Sequence, residues 1–474
     1  MPLFNQPVRL EKLSLHSLAK YLSDICVRLV NSASFEEAHA TCQRLKCIIH
    51  DRIPHSMANC VTSKALKYLN SRYDDISESC YFSPLSDNIL QQFVAVILHP
   101  KVTELDIIGI KLYIAMVVLS GIEKLSQLKI FRACGRYRRR LDSFNRLLLW
   151  HLPSLKNLKC CTLPLCSSNE IIRVLFKSAP GLTHLDVSES EGVTDESIDI
   201  ILSFPYLQSL DVSGTGISQN GYKCLLDKSR RCLHLQDFGV NIVDSSHILS
   251  LPDCFQGLRR LSLNMGILEM NHLDDIAQLL QGLEELKICG SYVISLPYFP
   301  SLKVLVLDVD QLDVEHLPTK CPRLEKLVIE TFGLECSRIT NSFMYLTSLS
   351  IWFVESHPID VLLSAAPNLV TLFLAMGPDF YLQISIVQLF SRPESHKLNR
   401  LENLSIYKQI RYVRPETLSF IMQSCSRLRT CKVFGENHKM MKSYYKDCAG
   451  VNISEPKRCW DRLYHISLSE CRPL

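Results

Sequence analysis

From Leu182 to Val187 the chain reads "LTHLDV", and from Leu207 to Val212 it reads "LQSLDV": an apolar residue, two variable ones, a Leu, one variable residue and another apolar one. The same pattern opens at Leu125 (LSQLKI), Leu155 (LKNLKC), Leu235, Leu258, Leu283, Leu302, Leu324, Leu346, Leu369, Leu401 and Leu428. Degenerate copies stand at Val102 (VTELDI) and Leu463 (LYHISL). Most steps are roughly 19 to 32 residues, the period of a unit made of one strand and one return segment. Side chains alternate along a strand, so the fourth and sixth positions face one side while the fifth and seventh face the other. No single unit can close a core. About fifteen in series can, by stacking their inward residues into a quasi-one-dimensional solenoid. The return segments read as helices, as in "TDESIDIILSFP", where Thr194 is placed to cap and Pro205 to stop the helix. "RPETLSFIMQSCS" from Arg414 has the same character.

Residues 1 to 98 lack this period. From Leu15 the apolar positions Leu18, Ala19, Leu22, Ile25, Cys26, Leu29 and Val30 follow the three-four spacing of a helix with one apolar stripe. A second helix is predicted from "SFEEAHATCQRLKCIIH", whose Ser34 and Glu37 stand at capping-box spacing. A third can start at Pro54, and the polar run from Asn70 to Asp87 reads as a linker. The chain therefore divides into a helical segment, 1–98, and a repeat segment, 99–474.

The repeats resemble those of leucine-rich-repeat proteins of the ribonuclease-inhibitor-like superfamily, over roughly residues 100 to 474. That resemblance implies an α/β solenoid that is curved, with parallel strands on the concave face and helices on the convex face, behind a small N-terminal all-α domain. Two N-terminal stretches extend the resemblance. "LSDICVRLV" carries Leu22, Cys26 and Val30 at the spacing of an elongin BC box, and "IPHSMANCV" carries Ile53, Pro54, Met57 and Val61 at that of a cullin-2 box. Together they resemble the von Hippel-Lindau box of the zyg and Zer-type substrate receptors of cullin-2 ubiquitin ligases. Residues four apart share a helix face, so Leu22, Cys26 and Val30 could enter a partner's groove as one stripe. A rival register, "SLHSLAKYL" from Ser14, offers Leu15 but has Ala19 where Cys is expected.

The resemblance implies a substrate-recognition subunit, with elongin C, elongin B and cullin-2 as partners and a protein substrate on the solenoid. One alternative is an F-box-type receptor on a Skp-like adaptor, although no Leu-Pro start precedes the first helix in the usual manner. Another is a leucine-rich scaffold or inhibitor without a ligase link, whose helices only seal the solenoid. Exposure of Leu22 and Cys26 separates these readings, because an interaction stripe must reach solvent and a sealing stripe is buried.

Composition narrows the partners. With 52 basic and 48 acidic residues the net charge is +4, too small to pull the chain toward nucleic acid or a membrane surface. The start "MPLFNQPVRLEKLSL" has no signal-peptide pattern, and no stretch suits a membrane span. The expected location is the cytoplasm, with the nucleus open. The 20 cysteines fall singly in apolar segments and read as reduced core thiols. "CCTLPLC" is the nearest thing to a metal cluster, but Cys160 falls on an inward repeat position. The basic run "RYRRRLDSFNR" reads as a solvated loop. No Gly-rich phosphate loop, His-Glu-x-x-His or Gly-x-Ser-x-Gly occurs, so the expectation is a protein that is not an enzyme and has no metal or cofactor. On the strand positions that face away from the core, the middle of the chain is small and polar, and the C-terminal part carries Trp352, Phe373, Tyr407 and Phe434. Aromatics on an exposed ladder are interface anchors, which makes these four the expected substrate contacts unless a C-terminal tail covers them.

Overall fold

The computed structural model describes residues 6–32, 34–72, 84–134, 141–229, 235–242, 257–265, 271–290, 296–331, 333–335, 339, 341–352, 357–376, 398–408, 425, 427–434 and 451–454. By packing, the chain forms two compact units, Met1–Gly221 with Arg231–Leu233, and Tyr222–Arg230 with His234–Leu474.

The first unit begins with four helices, α1 (Gln6–Ser32), α2 (Phe35–Arg52), α3 (Ala58–Ser71) and α4 (Pro84–Ile97). Ser34 caps α2 by accepting the Glu37 N–H at 3.3 Å, as its spacing predicts. Pro54 stands one place earlier than expected: it caps a 3-10 turn, His55–Met57, which leads into α3. The apolar stripe of α1 turns inward, where Leu15, Ala19, Leu22, Cys26, Leu29 and Val30 are all buried, and α1 packs on α3 and α4. Burial is worth about 1.5–3 kcal/mol for each large side chain of that kind.

Five short parallel strands follow: β1 (Glu104–Asp106), β2 (Ile130–Arg132), β3 (Cys160–Thr162), β4 (His184–Asp186) and β5 (Ser209–Asp211). Their register aligns Leu105, Phe131, Cys161, Leu185 and Leu210, every one buried. Helices α5 (Leu112–Gly121), α6 (Leu141–His151), α7 (Asn169–Ser178) and α8 (Ile198–Leu202) return the chain, each packed on the next. Thr194 precedes a 3-10 turn ahead of α8 without a side-chain cap bond to that turn; the Asn169 side chain instead accepts the Thr194 N–H at 2.9 Å and donates to the Thr194 hydroxyl at 2.8 Å.

This register corrects two repeat frames. The copies assigned to Leu125 and Leu155 lie three residues later, at "LKIFRA" and "LKCCTL", so Phe131 and Cys161 are the inward residues. Cys160 is therefore not inward: it is half-buried on the opposite side, beside Ile130 and His184. The cause is local. A 3-10 turn precedes each strand (Ile122–Lys124 and Leu152–Ser154), and its three-residue period adds a buried Leu ahead of the true start.

In the second unit β6 (Asp237–Ile242), β7 (Arg260–Met265), β8 (Glu285–Gly290), β9 (Val304–Val309), β11 (Lys326–Glu330), β13 (Ser348–Trp352), β14 (Thr371–Met376), β15 (Asn403–Lys408), β16 (Thr430–Phe434) and β17 (Val451–Ser454) pair in that order, all parallel. A separate parallel pair joins β10 (Gln311–Asp313) to β12 (Gly333–Glu335). Inward positions from Leu261 and Leu263 to Leu404 and Ile406 are buried along the ladder, as the repeat requires. β17 is not among the expected copies: "VNIS" supplies a final strand, whereas Leu463 and the rest of 455–474 lie outside the described residues. So does most of "RPETLSFIMQSCS" and the basic part of "RYRRRLDSFNR", whose last six residues open α6.

Candidate functional site

Two places can do more than hold the fold together: the helical end of the first unit and the core-distal face of the strands in the second.

At the helical end, α3 meets the free edge of β1, where unpaired N–H groups would otherwise face outward. Asn59 closes that edge. Its Oδ1 accepts the N–H groups of Thr103 at 2.9 Å and Glu104 at 3.2 Å, while its Nδ2 donates to the Thr103 hydroxyl at 2.9 Å. Thr62 donates to the Ile97 carbonyl at 2.7 Å, and Asn70 accepts the Lys111 N–H at 2.7 Å. Pattern reading missed these residues, because a side chain that closes an edge carries no periodic mark.

The residues of the first box are spent inside this cluster. Leu22 is 1% exposed, Cys26 0% and Val30 8%. Burial pushes the Cys26 thiol far up, with the neighbouring Cys42 adding to it, so it stays protonated. The expectation of an outward stripe is corrected at these three positions. In the second box Val61 is buried, Ile53 and Met57 are half-buried and Pro54 is exposed. The two boxes therefore do not present one continuous apolar surface.

On the core-distal face of the second unit the register sets Lys287, Val306, Val328, Ser350, Phe373 and Ser405 in one row. Cys289, Asp308, Glu330, Trp352, Ala375 and Tyr407 form the next. Val306, Val328, Trp352, Phe373 and Ala375 pack into a buried cluster, and the Trp352 and Phe373 rings lie 4.6 Å apart, tilted by 36°. Trp352 is 0% exposed and Phe373 7%, so the expectation of an open aromatic ladder is corrected there. Tyr407 and Phe434 continue the ladder by backbone pairing, and their side chains lie outside the described residues. Next to Trp352 the Glu330 carboxyl is pushed up to about 7, first by burial and then by Asp308, with Lys287 opposing. Glu330 Oε2 and Trp352 Nε1 have no hydrogen-bond partner among the described residues.

Among the described residues no His, Cys, Asp and Glu group could hold a metal ion, and no helix is long and apolar enough to cross a membrane. Among the described residues no two cysteines form a disulfide.

Neither a family model nor a curated protein matches the chain. Similar solved structures include the Rad7 and Elc1 complex in yeast, at TM-score 0.45 and 12% identity, covering 97% of this chain and 99% of that one. An internalin (inlF) from Listeria monocytogenes is similar at TM-score 0.38 and 15% identity, over 84% of this chain and 93% of that one. A TLR13-ssRNA13 complex is similar at TM-score 0.30 and 14% identity, over 72% and 59%. The fold is a leucine-rich-repeat solenoid. That assignment rests on the repeat and on its parallel register, which the described strands follow in both units.

Proposed function

We propose that this leucine-rich-repeat chain is a non-enzymatic protein-recognition subunit, the substrate receptor of a cullin-RING ubiquitin ligase. In this reading the N-terminal helices attach to elongin C, elongin B and cullin-2, and the solenoid takes a protein substrate. The observation that carries recognition is the in-register parallel ladder β6 to β17, which sets side-chain rows at about 4.8 Å per strand along one face. The ligase link is supported by the two box spacings and by the helical segment that precedes the first repeat. Attachment through Leu22, Cys26 and Val30 requires α1 to part from α3 and α4 first, so a partner binding there must favour the opened state. Ile53, Pro54 and Met57 require no such step.

The burial of Leu22 and Cys26, with Asn59 closing the strand edge, favours a second reading, a scaffold or inhibitor whose helices only seal the solenoid. Co-elution of the folded full-length chain with the elongin B and elongin C pair, followed by hydrogen exchange on the complex, separates the two. The receptor reading expects a stable complex and altered exchange over α1 and α3. A folded chain that elutes apart from the pair at micromolar concentration leaves the sealing role.

A further inference from the structure

Where α4 hands over to β1, the chain makes a tight turn, His99-Pro100-Lys101-Val102, closed by the Val102 N–H on the His99 carbonyl at 3.0 Å. Pro100 sits at the second position, where its fixed φ suits such a turn. The His99 ring acts as an aspartate would in this place: Nδ1 accepts the Lys101 N–H at 3.0 Å. Accepting requires a bare Nδ1, so the proton of the neutral ring is on Nε2, which is buried and has the His50 backbone as its neighbour.

Two further histidines close on this ring. His50, near the C-terminus of α2, lies 5.4 Å away between centroids, and His55, in the turn between α2 and α3, lies 6.1 Å away. Their planes meet His99 at 63° and 64°. His50 donates from Nε2 to the Val96 carbonyl at 3.0 Å, which ties α2 to α4. Three elements of the helical end thus converge on one turn, next to the Asn59 bonds that hold β1.

We propose that His99, with His50 and His55 packed around it, forms an acid-sensitive latch between the helical end and the first repeat, closed while the His99 ring is neutral and released when it takes a second proton. The added proton must go to Nδ1, where it would point at the Lys101 N–H, so two donors would face each other and the turn would lose its bond. The charge would also lie against His50, His55 and Lys101, while Lys46 and Asp51 on α2 act on His50 with opposite signs. Burial, the largest cause, and then the neighbouring His50 ring hold His99 below its ordinary 6.5, against the opposing pull of a hydrogen bond to the His50 backbone. The folded state therefore binds fewer protons here than the unfolded chain, and the latch's contribution is complete above about 6.5 and is lost as pH falls through the folded value. Release loosens the turn that carries Ile53 and Met57, whichever partner they serve.

Hydrogen exchange of the full-length chain between pH 7.5 and 5.5, corrected for intrinsic rates, tests the latch. In the wild type, amides 101–103, 53 and 55–58 should exchange faster at the acid end, with a ceiling of about tenfold set by one decade per unit of pH below the ordinary value. His99→Asn keeps an acceptor for the Lys101 N–H and cannot titrate, so its exchange should stay flat. A wild-type profile that is flat over this range overturns the latch, however the variant folds. An equal acid-driven rise in His99→Asn overturns it as well.

Discussion

The two units use the same repeat and finish its strands differently. In the first, each strand lasts three residues and its core-distal face is closed by its own polar groups: Asp186 accepts the Ser188 N–H at 3.0 Å and the Ser188 hydroxyl at 2.7 Å, and Asp211 does the same for Ser213 at 2.9 and 2.6 Å. Asp106 accepts the Ile108 N–H at 3.0 Å, and Arg132 reaches across to Glu104 at 2.6 Å. In the second unit most strands run five or six residues, and the same face carries Val306, Val328, Trp352 and Phe373, all buried. An aspartate that folds back on the backbone two residues on ends the ladder by satisfying the N–H that would have extended it. Where Val, Trp or Phe stands instead, nothing competes and the strand continues. In three repeats of the first unit an aspartate thus spends this face on a local turn, while Arg132 and Thr162 hold the same place in the other two.

The largest test of that contrast is Trp352→Ala. A fully buried Trp at a core-like position should cost about 3–5 kcal/mol, seen as a lower urea midpoint by circular dichroism. A cost below about 1 kcal/mol would mean that the face behaves as open surface and that the two units do not differ in this way. Asp186→Ala comes next. It removes the acceptor of two hydrogen bonds at a buried turn and should cost about 1–3 kcal/mol, whereas a null effect would show that the turn closes without it.

A smaller loss is expected at Gly214. The residue three places beyond the strand is left-handed in four repeats of the first unit: Gly109 at φ 72°, Leu165 at 65°, Glu189 at 57° and Gly214 at 67°. A Cβ at Gly214 would also come within 2.5 Å of the Glu189 carboxylate carbon. Gly214→Ala should lower stability by about 1–2 kcal/mol in the same urea assay. An unchanged midpoint would show that Glu189 moves aside and the turn relaxes.

Much of this was legible beforehand, and the failures share a cause. The inward ladder could be read because every copy must bury the same two positions, so Leu185 and Val187 or Leu327 and Ile329 announce themselves by spacing. The frame slipped at Leu125 and Leu155, where a 3-10 turn imitates the repeat's own Leu-x-x-Leu. The stripe Leu22, Cys26, Val30 reads from its spacing as a helix face, but spacing names a face without saying what covers it: α3 and α4 pack against α1. Trp352 and Phe373 were placed on the correct side of the strand and on the wrong side of the solvent boundary. Asn59 and His99 act through directed side-chain bonds, which leave no period to detect.

The last test asks whether the buried apolar face tolerates the Glu330 carboxylate set into it. Glu330 lies between Asp308 and Trp352 in the register, and burial with Asp308 raises its carboxyl from an ordinary 4.5 to about 7. The folded state then holds a proton that the unfolded chain has released, so this group's effect is neutral below about 4.5 and costs stability as pH rises toward about 7 and beyond. Glu330→Gln removes that cost: its urea midpoint should exceed the wild type's at pH 8 and match it at pH 4.5. The charge sits partly within reach of water and of Lys287, which keeps this effect the smallest of the four. A variant no more stable at pH 8 than the wild type would mean that the charged carboxylate is already well solvated, and the second unit's face would be closer to the polar face of the first than its burial suggests.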